Sequence, residues 1–120
     1  MKRIFGALLL VIFLAPSSAY AHTALVSSSP KNGAVLTKSP STISLTFTEE
    51  LLRLSGKNVS RLSLIDSAKK QIALGKTTFN KATISAKLKT ALIPGRYIVS
   101  YRVVSGDGHP VSGSFKFSVT

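Results

Sequence analysis

The chain has 120 residues, no cysteine and a formal net charge of +12, from 16 basic and only 4 acidic residues. This length suits one small domain, and without cysteine no disulfide can compensate for a small core. So few carboxylates disfavour an all-oxygen site of the kind that Ca²⁺ and Mg²⁺ prefer.

The first 21 residues have the pattern of a secretory signal peptide. Met1-Lys2-Arg3 is a short basic start, and Ile4 to Ala15 is an apolar run that Pro16 ends. The small-x-small pattern Ala19-Tyr20-Ala21 then marks a cleavage site. The apolar run is well short of the roughly 20 residues that a spanning helix needs. We therefore predict a signal peptide over 1–21, removed on export to the periplasm, and one mature domain over 22–120.

The mature chain reads as β-strands throughout. Alternating apolar residues, with a period of two, favour strands with one buried face. The segments are "STISLTFTEE", "NVSRLSLID", "ATISAKL", "GRYIVSYRVVS" and "VSGSFKFSVT". "GRYIVSYRVVS" is partly apolar on both faces, as a central strand should be. Val59 is out of phase with Leu62 and Leu64, which suits a bulge, and only "TEELLRL" shows a helical turn's pattern.

Turn signals separate these segments, among them Pro30-Lys31-Asn32-Gly33, Pro94-Gly95 and an Asp66-Ser67 hairpin turn. Six to eight short strands at this spacing predict an all-β fold, a small antiparallel β-sandwich of immunoglobulin type. The Cys…Trp…Cys signature of true immunoglobulin domains is absent.

Export leaves 14 basic and 4 acidic residues in the mature part, a net charge of +10. Such a surface attracts anionic lipid, lipopolysaccharide or nucleic acid. Most of the lysines are scattered singly, however, and they form no run of the kind that binds nucleic acid. We expect no nucleic-acid partner, and we interpret most of these charges as solvated faces and protected strand edges.

Nucleophilic and phosphate-handling chemistry have little support. No serine has a convincing base and orienting group beside it, cysteine is absent, and no Gly-rich loop leads into a helix. The two histidines are His22, which cleavage would make the first residue, and His109 in "SGDGHPVSG". Gly108 lets the chain turn so that Asp107 and His109 project to one side. The pair can then share a metal, or the carboxylate can simply orient the imidazole. Taken alone, the motif is more often an Asp-Gly turn with an exposed histidine.

Together, the two histidines predict a copper site. The α-amine and imidazole of a terminal His22 and the imidazole of His109 make three nitrogen donors, and Asp107 adds a carboxylate. Cu(II) favours tetragonal nitrogen and oxygen donors. We expect one Cu(II) ion per chain. The mature part has neither cysteine nor methionine, so we expect no dedicated Cu(I) site.

The chain resembles the CopC family of periplasmic copper-binding proteins, which are associated with copper resistance. The matching stretches are "AHTALVSSSPKNGAVLTKSPSTISLTFTEEL" and "LIPGRYIVSYRVVSGDGHPVSGSFKFSV". The resemblance implies a small Greek-key β-sandwich, related in architecture to cupredoxins. It also implies a Cu(II) site in which His22 supplies amine and imidazole nitrogens, His109 an imidazole and Asp107 a carboxylate. Glu49 matches the family's acidic residue near the copper, as a weaker contributor.

The sequence departs from the family in three places. The middle segment "LSLIDSAKKQIALGKTTF" lacks the methionines with which some members bind Cu(I). Tyr101 stands where many relatives have tryptophan. Glu50 follows Glu49, so the sequence leaves open which of the two faces the copper, although the alternation with Phe47 favours Glu49 at the strand end.

The leading hypothesis is a monomeric, non-enzymatic carrier that sequesters Cu(II) or hands it to an inner-membrane copper transporter of the CopD type. One alternative is a small copper oxidase or monooxygenase with a histidine brace. The other is a basic structural module that adheres to the envelope. Whether the protein would serve import, storage or detoxification is left open by the sequence.

Overall fold

A computed structural model describes residues 23–54 and 59–120, and all regular secondary structure within these residues is strand. The nine strands are β1 (Leu25–Ser29), β2 (Val35–Leu36), β3 (Thr42–Phe47), β4 (Arg61–Asp66), β5 (Gln71–Ile72), β6 (Thr78–Asn80), β7 (Thr83–Lys87), β8 (Gly95–Val104) and β9 (Pro110–Val119).

The strands form two sheets that enclose one core. One sheet has four strands in the order β1-β3-β7-β6, and the other has five in the order β2-β9-β8-β4-β5. All neighbours pair antiparallel except β2 and β9, which are parallel. The predicted antiparallel sandwich is confirmed. The described residues contain nine strands rather than six to eight, because β2 and β5, of two residues each, are too short to show a period.

The alternation in the sequence sets which side chains enter the core. Ile43, Leu45 and Phe47 of β3 are buried, while the residues between them are only half-buried. On β9, Phe117 is buried and stacks on Tyr97 of β8, with ring centroids 5.5 Å apart. The core is therefore filled by the inward residues of both sheets, as the period of two predicts.

Two local expectations were wrong. β4 begins at Arg61, so Val59 lies before the strand and makes no bulge there; the register instead shifts in β1, between Leu25 and Ser27. "TEELLRL" forms no helical turn. Leu51 instead bridges the backbone of Ser105, and its side chain is buried in the core, so the segment is drawn out along the sheet.

The turn between β4 and β5 follows the sequence expectation. Oδ1 of Asp66 accepts hydrogen bonds from the backbone N–H groups of Ala68 and Lys70, each at 2.9 Å. Asp66 therefore has a complete structural role as a turn residue.

Within the described ranges there is no helix both long and apolar enough to cross a membrane.

The pairing pattern brings three segments to one end of the sandwich. β8 and β9 form a hairpin with ten residues in each strand. Its last pair is Val104 with Pro110, and the loop 105–109 connects the two strands beyond this pair. β1 begins opposite the end of β3, since Leu25 pairs with Phe47. The start of the domain, the end of β3 and the β8–β9 loop therefore lie close together.

Within the hairpin, β8 and β9 pack closely at the pair of Tyr101 and Gly113. Gly113 of β9 pairs directly with Tyr101 of β8, whose ring meets Phe47 edge-on at 5.4 Å. A Cβ at Gly113 would lie 2.6 Å from Cζ of Tyr101, so the ring would have to move from its position against the core.

We expect Gly113→Ala to lower the free energy of unfolding by about 1–3 kcal/mol, as overpacking does. Ser112→Ala, at the exposed neighbouring position, is the control and should change it by less than about 0.5 kcal/mol. Denaturant unfolding measures both, and equal stabilities would contradict the close packing of Tyr101 on Gly113.

Candidate metal centre

The end of the sandwich is held together by hydrogen bonds between three segments. The N–H of Thr48 donates to the carbonyl of Ala24 at 2.9 Å, and the N–H of Ala24 donates to Oγ1 of Thr48 at 3.0 Å. The N–H of Gly106 donates to the carbonyl of Glu50 at 3.0 Å. The segment that follows β3 therefore joins the start of the domain to the β8–β9 loop.

The loop 105–109 is a tight turn with a fixed backbone. The N–H of Gly108 donates to the carbonyl of Ser105 at 2.8 Å, and the N–H of Ser105 donates to the carbonyl of His109 at 3.0 Å. Gly108 has a φ of +89°, a conformation that side chains with a Cβ rarely adopt. Glycine at this position lets the chain reverse between Asp107 and His109.

Asp107 and His109 form a pair in this loop, as the sequence predicts. Oδ2 of Asp107 lies 2.9 Å from Nδ1 of His109, and Oδ1 accepts from the backbone N–H of His109 at 3.2 Å. The Ser105 hydroxyl also donates to Oδ1 of Asp107. With Nδ1 held by the carboxylate, Nε2 is the ring nitrogen left to bind a metal, an arrangement in which the carboxylate fixes the ring and its tautomer.

These hydrogen bonds keep the Asp107 carboxylate ionised. The Ser105 hydroxyl, followed by the side chain and backbone N–H of His109, holds the pKa of Asp107 well below its usual value of 3.8. A lowered pKa means that folding favours the ionised form. This contribution to stability is complete above pH 3.8 and is lost as the pH falls toward the lower pKa of the folded state.

The pair is open to solvent on its outer side. The side chain of His109 is 75% exposed and that of Asp107 is 51% exposed. A metal ion therefore reaches Nε2 without any movement of the core.

Glu49 is held beside the start of the domain. Its Oε2 accepts a hydrogen bond from Oγ1 of Thr23 at 3.2 Å, and Thr23 is buried. Glu50 is exposed and contributes its backbone carbonyl rather than its side chain, through the bond to Gly106. Of the two adjacent acids, Glu49 is the one whose carboxylate is directed to the residue that follows His22.

The described residues bring together part of the predicted site. Asp107 and His109 are in contact with each other, whereas Glu49 lies in the segment that follows β3. Nowhere in 23–54 and 59–120 do three His, Cys, Asp or Glu side chains group closely enough to hold a metal. His22 lies outside the described residues, so its part in the site stays a prediction.

Two supporting residues were missed by the sequence reasoning, Thr23 and Ser105. Both are 2% exposed, and each positions a predicted site residue. Ser105, two residues before Asp107, had a local signal, because a serine at this spacing commonly bonds a turn residue. Thr23 had none, since its bond to Glu49 spans 26 positions of the sequence.

We expect Ser105→Ala to raise the pKa of Asp107 toward 3.8, because the largest cause of its lowering is removed. The pKa should stay below 3.8, since both hydrogen bonds with His109 remain. Carboxyl chemical shifts, followed through an acid titration by NMR, measure the change. Ser100→Ala on β8 is the control and should leave Asp107 unchanged; the same Asp107 titration in Ser105→Ala and the wild type would contradict the role of Ser105.

Comparison with known proteins gives one consistent result. A family model described as "CopC domain" matches residues 25–120. Copper resistance protein C of Xanthomonas campestris pv. juglandis is 39% identical over 116 residues, covering 88% of this chain and 86% of that protein. Copper transport protein CutJ of Bacillus subtilis is 31% identical over 127 residues, covering 99% of this chain but 22% of that protein.

A solved structure agrees in fold. The crystal structure of PcoC, described as a methionine-rich copper resistance protein from Escherichia coli, superposes with a TM-score of 0.70 at 27% identity. The match covers 83% of this chain and all of that one. Since the family match extends over all nine strands and the loop 105–109, this chain belongs to the CopC domain family.

Proposed function

We propose that this protein is an exported copper-binding protein that holds one Cu(II) ion between the mature N-terminal His22 and His109. The observation that carries the proposal is the Asp107–His109 pair, whose Nε2 is free and exposed at the same end of the sandwich as Thr23. The relatives named above support a role in copper handling, since two are called copper resistance proteins and one a copper transport protein.

The buried position of Thr23 supports the participation of His22. His22 is covalently joined to Thr23, and consecutive Cα atoms are only about 3.8 Å apart. Thr23 is held by the hydrogen bond from its hydroxyl to Glu49. Glu50, which follows Glu49 in the chain, accepts a hydrogen bond from the N–H of Gly106 in the loop. These two short links support a site closed between the start of the mature chain and the loop.

The donor types fit Cu(II). An α-amine, two imidazoles and a nearby carboxylate supply nitrogen and oxygen donors in a number that suits tetragonal coordination. In this proposal Asp107 contributes the carboxylate that orients His109 and adds negative charge beside the metal. Glu49 contributes more weakly, by holding Thr23 and by its own charge.

The donor set disfavours a separate Cu(I) site. The one methionine is Met1, in the predicted signal peptide, and there is no cysteine. Soft thioether and thiolate ligands are the ones that select Cu(I). In this respect the chain differs from the methionine-rich relative PcoC.

We favour binding over catalysis. A copper monooxygenase that acts on polysaccharides needs a broad substrate face with exposed aromatic rings. In the part of the chain that the structure describes, Phe47, Tyr97, Phe115 and Phe117 are all buried in the core. Tyr101 and Phe79 are half-buried against it.

We further propose that the protein acts in the periplasm as a monomer and exchanges copper with an inner-membrane transporter of the CopD type. The predicted signal peptide supports export. The match to less than a quarter of CutJ supports the transport partner, because a domain like this one forms part of a larger copper transport protein there.

The ligand roles are tested by a set of single substitutions. We expect His109→Ala to weaken Cu(II) binding by more than about 100-fold, and Asp107→Asn to weaken it by about 10- to 100-fold, as loss of an orienting carboxylate does. Competitive titration against a chelator of known affinity measures both.

Glu49→Gln and Glu50→Gln form the matched pair for this set. Both remove one negative charge, but only the Glu49 carboxylate contacts Thr23. We expect the Glu49 variant to bind more weakly than the Glu50 variant. Unchanged affinity in His109→Ala would overturn the proposed site.

The N-terminal amine is tested by chain length alone. In a form that retains Ala21, the nitrogen of His22 becomes an amide, which is a poor donor until it loses a proton. We expect Cu(II) affinity to fall by orders of magnitude although every side chain remains. Affinity in the processed form should rise with pH, because Cu(II) competes with protons for its nitrogen donors, and the α-amine of a chain terminus has an unperturbed pKa of about 8.

Electron paramagnetic resonance and competitive titration compare the two forms. Their folds should be identical, which circular dichroism checks. Identical spectra and affinities would show that the amine of His22 is not a ligand.

A further inference from the structure

The outer faces of the two sheets differ sharply in charge. The register assigns Arg61 of β4, Arg96 and Arg102 of β8 and Lys116 of β9 to the outward face of the five-stranded sheet, because their neighbours along each strand point into the core. All four are exposed. The outward positions of β1, β3, β6 and β7 carry hydroxyl and amide side chains, one cation, Lys87, and one exposed apolar residue, Val26.

No acid neutralises these four cations. The chain has four acidic residues, and none forms a salt bridge with these cations. Glu49, Glu50 and Asp107 lie at the end of the sandwich. Asp66 is the last residue of β4, and its Oδ1 accepts hydrogen bonds from the backbone N–H groups of Ala68 and Lys70. Within the described residues, the one contact with salt-bridge geometry is that of Asp107 with His109. The basic face therefore keeps its full charge toward solvent.

Two of the cations are placed at a cost to the fold. Arg61 and Arg102 are direct cross-strand partners in the β4–β8 register. Like charges at directly opposed positions destabilise a sheet. Two guanidinium groups side by side also offer paired N–H donors to phosphate oxygens, which they bind in a planar, bidentate manner.

The rest of the face suits a headgroup layer better than a protein partner. Between the cations stand serine hydroxyls, at 63, 100, 112, 114 and 118, which donate hydrogen bonds to phosphate. The apolar residues between the cations, Ile65 and Ile98, are half-buried, and no aromatic side chain points outward from β4, β8 or β9. One exposed apolar side chain, Val35 of β2, lies at the edge of the sheet beside Ser118. Stable protein interfaces are centred on buried aromatic and large apolar anchors, which this face lacks.

The charges are also widely spread. Arg96 and Arg102 are six residues apart on β8, which is about 20 Å along a strand. Charges at both ends of a strand suit an extended anionic surface, which presents phosphates along its whole extent.

We propose that the outward face of the five-stranded sheet, formed by Arg61, Arg96, Arg102, Lys116 and the serines between them, docks on the phosphate headgroups of an anionic phospholipid membrane. The loop 105–109 lies at the end of the sandwich and not on this face, so docking leaves His109 accessible. The proposal does not depend on the copper site, because none of the face residues is a candidate ligand.

The experiment measures partition of the exported, processed protein onto vesicles by co-sedimentation. The vesicles contain phosphatidylglycerol mixed with phosphatidylcholine, or phosphatidylcholine alone. The variant Arg61→Gln/Arg102→Gln removes two cations of the face. The matched control, Lys87→Gln/Lys89→Gln, removes the same charge from exposed positions on and just beyond β7.

We expect the wild type to bind the anionic vesicles and not the neutral ones. The arginine variant should bind about 30-fold more weakly, since each cation near an anionic membrane contributes about a fivefold change. The lysine variant should lose less than about threefold. Thermal unfolding shows that each variant is folded, and Arg96→Gln/Lys116→Gln provides a second test at the other end of the face.

Two results would overturn the proposal. Equal weakening in the arginine and lysine variants would mean that net charge alone drives binding. Failure of the wild type to bind anionic vesicles at an ionic strength of about 0.1 M, where surface charges still act over about 10 Å, would mean that the face does not dock on lipid.

Discussion

The ten-residue pairing of β8 with β9 is the constraint on which the rest of this structure depends. It runs without a register shift from Gly95 with Val119 to Val104 with Pro110. Because side chains alternate strictly across a strand, this one register decides three things together. It turns Tyr97, Val99, Phe115 and Phe117 into the core, turns Arg96, Arg102 and Lys116 outward, and fixes the loop that carries Asp107 and His109 at the end of the sandwich. A slip by one residue would exchange the aromatic core for the basic face.

The loop in turn is fixed by a residue that belongs to the core. Ser105 is 2% exposed, bridges Leu51 in the backbone and holds Asp107 through its hydroxyl. The exposed pair Asp107–His109 is therefore attached to a buried, well-packed position rather than to a free loop tip. Sites built in this way hold their geometry, because the supporting residue cannot change rotamer without disturbing the core. The rigidity of the candidate site comes from the sandwich and not from the loop sequence alone.

The sequence was sufficient for the features that depend on local pattern. Alternation in "STISLTFTEE" correctly predicted that Ile43, Leu45 and Phe47 are buried, and Gly108 correctly predicted the approach of Asp107 to His109. The sequence alone could not predict features that depend on the register between strands distant in the chain. The bond from Thr23 to Glu49 requires the pairing of β1 with β3, and the opposition of Arg61 to Arg102 requires the pairing of β4 with β8. β2 and β5 were missed for another reason, since two residues carry no period. The role of His22 stays a prediction.

The placement of the acids explains how so basic a protein can attract a divalent cation. The predicted mature chain, with a net charge of +10, would repel Cu²⁺ at long range, but at physiological ionic strength charges act over only about 8 Å. Within that distance the site is governed by its own neighbours. Three of the four acids, Glu49, Glu50 and Asp107, lie at the end of the sandwich where the copper site is proposed, and the lowered pKa of Asp107 keeps it ionised even in acid. The cations Arg61, Arg96, Arg102 and Lys116 lie on the outward face of the five-stranded sheet and not at this end of the sandwich. Screening therefore lets one small domain present a locally anionic end to a metal ion and a cationic face to another partner.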